Sequence, residues 1–188
     1  MKVLDIELFS GPLRGARVDT WVVPVPLNER PLRAAAGELD WRMAGAISSA
    51  LRGGSLTGTF QDAVLLPAAP PLSARRVLLV GTGAIEALPG RGVQDTFRNI
   101  AARLLGLRSE RSMVALPAAI DLAGDAERAL RGCLQVISAH RGDVSLCLGL
   151  PERPGLAEAL LRASSHLADE ALQRNVRLGV ERVSASVH

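Results

Sequence analysis

The sequence predicts an α/β fold, a three-layer α/β/α sandwich around a mixed, mostly parallel sheet of about six strands. Short apolar runs rich in β-branched residues recur along the chain, and amphipathic helical patterns separate them. The later runs are almost continuously apolar, which is typical of strands covered by helices on both faces. The predicted strands span residues 3–9, 21–25, 63–66, 77–80, 113–116 and 144–148.

The first strand differs from the others because it alternates apolar and acidic residues. Leu4, Ile6 and Leu8 alternate with Asp5 and Glu7, so this strand is expected to have one face in water. Strands joined by single helices should run parallel through right-handed crossovers, whereas the early strand pairs are open to antiparallel pairing.

Four amphipathic helices are expected between and after the strands. The second would be capped by Asp95 or Thr96 and end at Gly106, the third would begin at Asp125, and the fourth would have Pro154 near its first turn. Apolar residues at three- and four-residue spacing would face the sheet. The four stripes are Leu39, Met43, Ile47, Ala50 and Leu51; Phe97, Ile100, Ala101, Leu104 and Leu105; Ala126, Leu130, Cys133 and Ile137; and Leu156, Leu160, Ala163, Leu167 and Ala171.

The length of 188 residues suits one domain, which would bury roughly 70% of its unfolded surface. We assign the domain to residues 1–172 and treat 173–188 as a tail. Val176, Leu178 and Val180 alternate weakly in that tail. Three alternatives stay open for it: an extra edge strand, a segment that packs on a partner, or a mobile end.

Composition excludes several functional classes. The net charge of +3 arises from 22 basic and 19 acidic residues spread over the chain, and aromatic residues make up 3% with no tyrosine, which disfavours base stacking on single-stranded nucleic acid. No apolar run approaches a membrane span or a signal-peptide core, so a cytoplasmic location is expected. Cys133 and Cys147 lie among apolar residues and are expected to be free thiols in a reducing compartment.

One glycine turn is a candidate ligand site. Gly81, Thr82 and Gly83 follow the apolar run 77–80, and a glycine turn after a buried strand can bring backbone amides up to a phosphate. A dinucleotide fingerprint would need a small residue where Glu86 stands. A structural turn is therefore favoured, and these three residues remain candidate ligand-binding residues in a crevice at the strand ends.

Other patterns for chemistry are missing or weak. His140, His166 and His188 do not have metal-ligand spacing, no G-x-S-x-G element occurs, and Lys2 is the sole lysine. We predict no catalytic residue, metal site or cofactor. The carboxylates Asp121 and Asp125 could converge on a cation, but a helix-capping role for Asp125 is favoured.

Three arginine clusters are candidate contacts for nucleic acid. Acidic residues stand beside several of them, so solvated faces or intersubunit salt bridges are favoured over DNA contacts. The clusters are Arg75 and Arg76; Arg103, Arg108 and Arg111; and Arg174, Arg177 and Arg182.

The order of four segments resembles the N-terminal domain of the leucyl aminopeptidase (cytosol aminopeptidase) family. These are residues 20–26, Gly-Glu-Leu-Asp at 37–40, Gly-Gly-Ser-Leu-Thr-Gly at 53–58, and Arg-Arg-Val-Leu-Leu-Val-Gly-Thr-Gly at 75–83. The sequence departs from the family at 59–62, where a lysine and a glutamate are common. The resemblance implies a fold similar to macro domains, in agreement with the periodicity.

The resemblance also implies what this chain lacks. The family's two metal ions, their ligands and its catalytic side chains belong to a separate C-terminal domain, so none is carried over. It implies a non-catalytic assembly, protein-interaction or regulatory role, through self-association or a partner such as a full-length aminopeptidase, and an exposed Trp21 or Trp41 would support it. The alternatives are a macro-like module that binds a nucleotide or ADP-ribose, and a weak DNA-binding regulator.

Overall fold

The computed structural model of the protein describes residues 1–11, 16–68, 70, 72–118 and 120–184. Its twelve main elements alternate as the sequence pattern predicts. In chain order they are β1 (Lys2–Ser10), β2 (Thr20–Pro26), α1 (Ala34–Arg42), α2 (Ala46–Arg52), β3 (Ala63–Pro67), β4 (Arg76–Gly83), α3 (Arg91–Gly106), β5 (Arg111–Val114), α4 (Ala126–Ala139), β6 (Val144–Pro151), α5 (Leu156–Gln173) and β7 (Val176–Ser184).

One sheet of seven strands runs through the molecule in the order β3-β4-β2-β5-β6-β1-β7. The hairpin-like pair β3–β4 is antiparallel, and every other neighbouring pair is parallel. The prediction of a mixed, mostly parallel sheet is confirmed. The seventh strand comes from the tail, where residues 176–184 pair in parallel with β1.

Two apolar layers pack on the two faces of this sheet. Helices α3, α4 and α5 cover one face, which includes Val22 of β2 and the side chains of Leu4, Ile6 and Leu8. Helices α1 and α2 cover Trp21 and its neighbours on the opposite face. Strand β2 is therefore buried on both sides, as its continuous apolar run predicts.

The second face becomes polar toward β6, β1 and β7. Asp5 and Glu7 of β1 point to that side, where they form ion pairs with Arg177 at 3.0 Å and Arg111 at 2.6 Å. The alternation in β1 therefore separates a buried apolar row from a half-buried acidic row, as predicted. Among the described residues, no helix is both long and apolar enough to cross a bilayer.

Two predicted helix boundaries are wrong. The expected first helix is divided into α1 and α2, because Ala44 and Gly45 adopt φ values of 52° and 79°; the Asp40 carboxylate accepts the Ser48 amide after the break at 2.9 Å. Helix α3 starts at Arg91, one turn before the predicted cap. Asp95 lies inside this helix, where it forms ion pairs with Arg91 and Arg98 instead of capping the N-terminus.

The close crossing of α3 and α4 depends on Gly132. A Cβ at this position would lie 2.3 Å from the Gln94 carbonyl oxygen, whereas a Cβ on Gly106 of α3 would meet nothing within 4 Å. We predict that Gly132→Ala lowers the free energy of unfolding by about 1–3 kcal/mol, because overpacking outweighs the gain in helix propensity. Urea denaturation should show Gly106→Ala as neutral or stabilising, and equal effects of the two substitutions would contradict this packing argument.

The Asp19 carboxylate links the start of β2 to the start of β5. Burial alone would raise the pKa of Asp19, but hydrogen bonds from Ser109, Thr20 and the amides of Glu110 and Arg111 bring it below the ordinary 3.8. The amide of Glu110 lies 2.7 Å from the carboxylate. A lowered folded-state pKa stabilises the fold above the unfolded-state pKa, and this contribution disappears as pH falls through the folded-state value.

We therefore predict that Asp19→Asn lowers the free energy of unfolding by about 1–3 kcal/mol at neutral pH. The difference from the unmodified chain should shrink as the pH is lowered from about 5 to below 3.8, because the aspartate then becomes neutral. Chemical denaturation at a series of pH values measures this. A difference that is constant with pH would show that the charge of Asp19 is not what stabilises the fold.

Candidate functional site

A crevice of about 410 Å³ lies beyond the carboxyl ends of the parallel strands β2, β4 and β5. The loops that follow β2, β4 and β5 each contribute to its wall. Its lining residues are Asn28, Glu29, Arg30, Arg33, Ile85 and Ala118.

Glu29 is the unusual side chain of this crevice. The residue is 8% exposed, and its Oε2 atom is buried without a hydrogen-bond partner among the described residues. Burial raises the pKa of Glu29, and the positive charges of Arg33 and Arg30 partly offset that rise. A buried carboxylate oxygen with no donor is costly, so a donor supplied by a bound molecule would stabilise it.

The two neighbouring arginines have different roles. The Arg30 guanidinium donates to the carbonyl oxygens of Pro26, Glu29 and Thr57 at 3.0, 2.7 and 3.3 Å, which holds the loop in place. Arg33 is exposed at the crevice, and its guanidinium group makes no hydrogen bond or ion pair with the described part of the chain. Arg33 is therefore the cation available to an anionic group.

Asn28 fixes the opposite wall. Its side-chain oxygen accepts the Ile85 amide at 3.1 Å, and its side-chain nitrogen donates to Glu86 at 3.1 Å. These bonds join the loop after β2 to the short 3₁₀ turn Ile85–Ala87 that follows β4. Hydrogen bonds within the protein thus hold this wall in place.

The predicted residues Gly81, Thr82 and Gly83 do not line this crevice. The Gly81 amide donates to the Asp62 carbonyl oxygen at 2.8 Å, and the Gly83 amide donates to that of Gly58 at 2.9 Å. A Cβ on Gly81 would stand 2.0 Å from the Thr59 carbonyl oxygen. These glycines let the segment 58–62 close against β4, and Thr82 is buried between them with its hydroxyl unpartnered within the described structure.

Sequence reasoning did not single out Glu29 or Arg33. The available signal was their position, because charged residues directly after a buried strand stand at the strand ends where ligands bind in α/β sheets. The burial of Glu29 could not be foreseen, since it is set by the tertiary structure, in which residues of the loops after β4 and β5 line the same crevice.

The remaining reactive side chains do not assemble into a catalytic group in the described residues. Burial raises the pKa of both Cys133 and Cys147 to about 12, so neither is a thiolate at neutral pH. His166 is exposed and lies 3.6 Å from Glu127. No group of three metal-ligating side chains occurs in the part of the chain that the structure describes, and His188 lies outside it.

Asp125 occupies the N-cap position of α4, as predicted, but does not cap with its side chain. Its carboxylate instead accepts the Gly90 amide at 2.9 Å and pairs with Arg128 at 2.8 Å. Asp121 accepts the Gly124 amide. The two carboxylates are thus used separately to hold loops.

Most of the clustered arginines have partners within the chain. Arg111, Arg174, Arg177 and Arg182 form ion pairs with acidic residues, and Arg76 donates to Thr20 and the Leu107 carbonyl oxygen. Guanidinium groups held in this way are less available to phosphates.

The two tryptophans have opposite environments. Trp21 is 1% exposed in the core, whereas Trp41 on α1 is 78% exposed. Large aromatic side chains gain much free energy when they are removed from water. Trp41 is therefore the aromatic side chain best placed to meet another molecule.

Residues 22–138 match the family model described as the N-terminal domain of the cytosol aminopeptidase family. A probable cytosol aminopeptidase of Pseudomonas fluorescens is 40% identical over 112 residues, and the cytosol aminopeptidase of Pseudomonas aeruginosa is 37% identical over 112. Each match covers 59% of this chain and 23% of the relative, so the chain spans less than a quarter of those proteins.

Solved structures share the fold at low sequence identity. A variant of tomato leucine aminopeptidase aligns with a TM-score of 0.65 at 15% identity, over 92% of this chain and 37% of that one. A variant of an Oceanobacillus iheyensis macrodomain aligns with a TM-score of 0.65 at 12% identity, over 88% of this chain and 92% of that one. The macro-like architecture expected from the resemblance is confirmed.

The family match covers more than half of the chain, and it includes strands and helices that contribute to both apolar layers. It includes the loop that carries Glu29 and Arg33, and helix α1, which carries Trp41. On this evidence the chain belongs to the cytosol aminopeptidase family, as a representative of its N-terminal domain.

Proposed function

We propose that this chain is a non-catalytic assembly module, which uses the surface around Trp41 to contact a full-length cytosol aminopeptidase. The observation that carries the proposal is the 78% exposure of Trp41. An indole this exposed contributes little to the stability of its own fold, but aromatic side chains of this kind often dominate binding energy at protein interfaces.

The setting of Trp41 supports a contact with another protein. In the same helix, Arg42 forms an ion pair with Glu38 at 2.8 Å, so one pair of charged side chains lies close to the apolar indole in the sequence. A central aromatic side chain with a polar rim is the usual arrangement of a protein interface. We favour a full-length relative as the partner, because the similar proteins are named cytosol aminopeptidases and this chain matches only 23% of their length.

The absence of peptidase activity belongs to the same proposal. The family match is to the N-terminal domain, and the described residues hold neither a cluster of metal ligands nor a cysteine that is a thiolate at neutral pH. The proposed place of action is the cytoplasm, which the names of the relatives support.

We predict that light scattering of the chain mixed with a cytosol aminopeptidase of the same source gives the mass of a complex. Trp41→Ser should weaken that complex about 30-fold, which corresponds to the roughly 2 kcal/mol of an aromatic hot spot. Trp41→Phe keeps an aromatic ring and should weaken it less. Neither variant should change thermal stability much, since the side chain is exposed.

Tryptophan fluorescence supplies an independent measurement. Acrylamide should quench Trp41 and spare the buried Trp21 in the free chain, and the complex should protect Trp41. A mixture without a complex, or a complex unaffected by Trp41→Ser, would contradict the proposed contact.

The crevice favours a second candidate function, the binding of a small molecule. Its unpartnered Glu29 oxygen can accept a hydrogen bond from an amino group, and Arg33 can pair with an anionic group. A nucleotide carries both kinds of group. We therefore keep a macro-like nucleotide or ADP-ribose site as the alternative function.

We predict, for this alternative, that calorimetry detects binding of ADP-ribose or AMP. Glu29→Gln should weaken binding about tenfold or more, because a neutral amide oxygen is a weaker hydrogen-bond acceptor than a carboxylate. Arg33→Ala should also weaken binding, and the loss should be larger at low salt, where the charge of Arg33 is less screened. Arg162→Ala removes one exposed positive charge from α5, far along the chain from the crevice loops, and serves as the matched control. Equal losses with Arg33→Ala and Arg162→Ala would show a nonspecific charge effect.

A further inference from the structure

From the free edge of the sheet we infer that two copies of this chain associate through β7 and α5, so that the sheet continues across a two-fold axis at Gly179. This inference rests on the proposed assembly role and adds a second surface to it. Strand β7 is the last strand of the sheet on its side, and no described strand pairs with its outer edge. An edge strand presents unpaired backbone amides and carbonyls to another chain.

The sequence of β7 is complementary to itself when two copies run antiparallel. With Gly179 opposite its own copy, Arg177 stands opposite Glu181 of the second copy, and Leu178 stands opposite Val180. Opposite charges and apolar pairs directly across two strands are both favourable. The two-fold axis doubles each pair, giving two ion pairs on one face and two apolar pairs on the other.

Within one chain, Arg177 and Glu181 keep hydrogen-bonding groups available for a second copy. Glu181 is exposed and forms no ion pair among the described residues. Arg177 is exposed and pairs with Asp5 at 3.0 Å through one of its nitrogens, so its remaining donors are free to reach Glu181 of a second copy. A guanidinium group has five N–H donors and serves two carboxylates readily.

Helix α5 presents an apolar stripe on the same side as the free edge. Leu161, Ser165, Ala168 and Leu172 follow one another at spacings of four, three and four residues, which places them on one flank of the helix. All four are exposed, and Leu161 and Leu172 are 51% and 78% exposed.

This flank points away from the neighbouring helix α4. The ion pairs between α5 and α4 involve His166, which lies 3.6 Å from Glu127, and Glu170, which lies 2.6 Å from Arg131. At 100° per residue, Leu161 and Leu172 are on the other side of α5. Because α5 packs on β7, which ends the sheet, its free flank faces the space that a second copy would fill.

The pairing of the strands and the pairing of the helices require the two-fold axis at the same distance from Asn175, which lies between α5 and β7. Gly179 is four strand residues from Asn175, or about 13 Å. The midpoint of the helical stripe, between His166 and Leu167, is about 13 Å from Asn175 along the helix. Two α5 helices would then pair Leu161 with Leu172 of the second copy, with the small Ser165 and Ala168 at the close approach between them.

Light-scattering mass and sedimentation equilibrium from about 1 to 500 µM test this pairing. The expected result is a concentration-dependent mass approaching twice the 19.8 kDa of one chain. The double variant Leu161→Ser/Leu172→Ser should weaken the dimer at least about tenfold. Leu65→Ser on the opposite edge strand β3 is the matched control, because Leu65 is 47% exposed, and it should leave the dimer unchanged.

A charge swap tests the register. Glu181→Arg places like charges opposite each other twice and should weaken the dimer, while adding Arg177→Glu to it should restore association. Thermal unfolding of each variant shows that the fold is retained. A dimer that Glu181→Arg does not weaken, or that the added Arg177→Glu does not restore, would overturn the pairing about Gly179.

The outcomes separate this inference from the proposed function. A chain that stays monomeric up to about 500 µM yet binds the aminopeptidase through Trp41 overturns the β7 and α5 dimer and leaves the assembly role intact. A dimer that Trp41→Ser leaves unchanged and Leu161→Ser/Leu172→Ser disrupts supports the inference. A dimer that depends on Trp41 instead overturns it.

Discussion

The burial of β2 on both of its faces is the constraint on which this structure depends. All seven residues of the strand are buried, and its neighbours β4 and β5 pair with it in parallel. A strand without a wet face needs an apolar layer on each side, so the chain must supply helices in two directions. The divided helix formed by α1 and α2 meets this need on one side, and α3 meets it on the other.

The same constraint produces the crevice. Parallel strands end together at one edge of the sheet, and the loops that leave them must rise over that edge to reach the covering helices. The loop after β2 carries Glu29 into this space, where Arg30 holds the backbone through three carbonyl oxygens. A buried carboxylate oxygen without a partner is retained there, although burial of this kind destabilises a fold unless something compensates for it.

The apolar layers do not extend over the whole sheet. Beyond β5 the second face is occupied by ion pairs that join β1 to β7 and to the start of β5. Charged side chains on such a face and on an edge strand normally prevent unwanted pairing. In β7 the charges of Arg177 and Glu181 have opposite signs at positions symmetric about Gly179. They therefore disfavour pairing with most other strands, but they attract a second copy of β7 that pairs antiparallel about Gly179.

Much of the fold could be predicted from the sequence, because hydrophobic periodicity is a local property. The apolar runs determined six strands, the spacing of apolar residues determined which faces of the helices are buried, and the alternation in β1 determined its acidic row. The order of four segments determined the family. These features depend on residues that are close together in the chain.

Only the tertiary structure decided what depends on distant residues. The break between α1 and α2 depends on backbone angles at Ala44 and Gly45. The amides of Gly81 and Gly83 donate hydrogen bonds to the segment 58–62 instead of lining the crevice. The burial of Glu29 and the exposure of Trp41 are set by which loops and helices come to lie over them. Burial is a property of the assembled chain, so no local pattern specifies it.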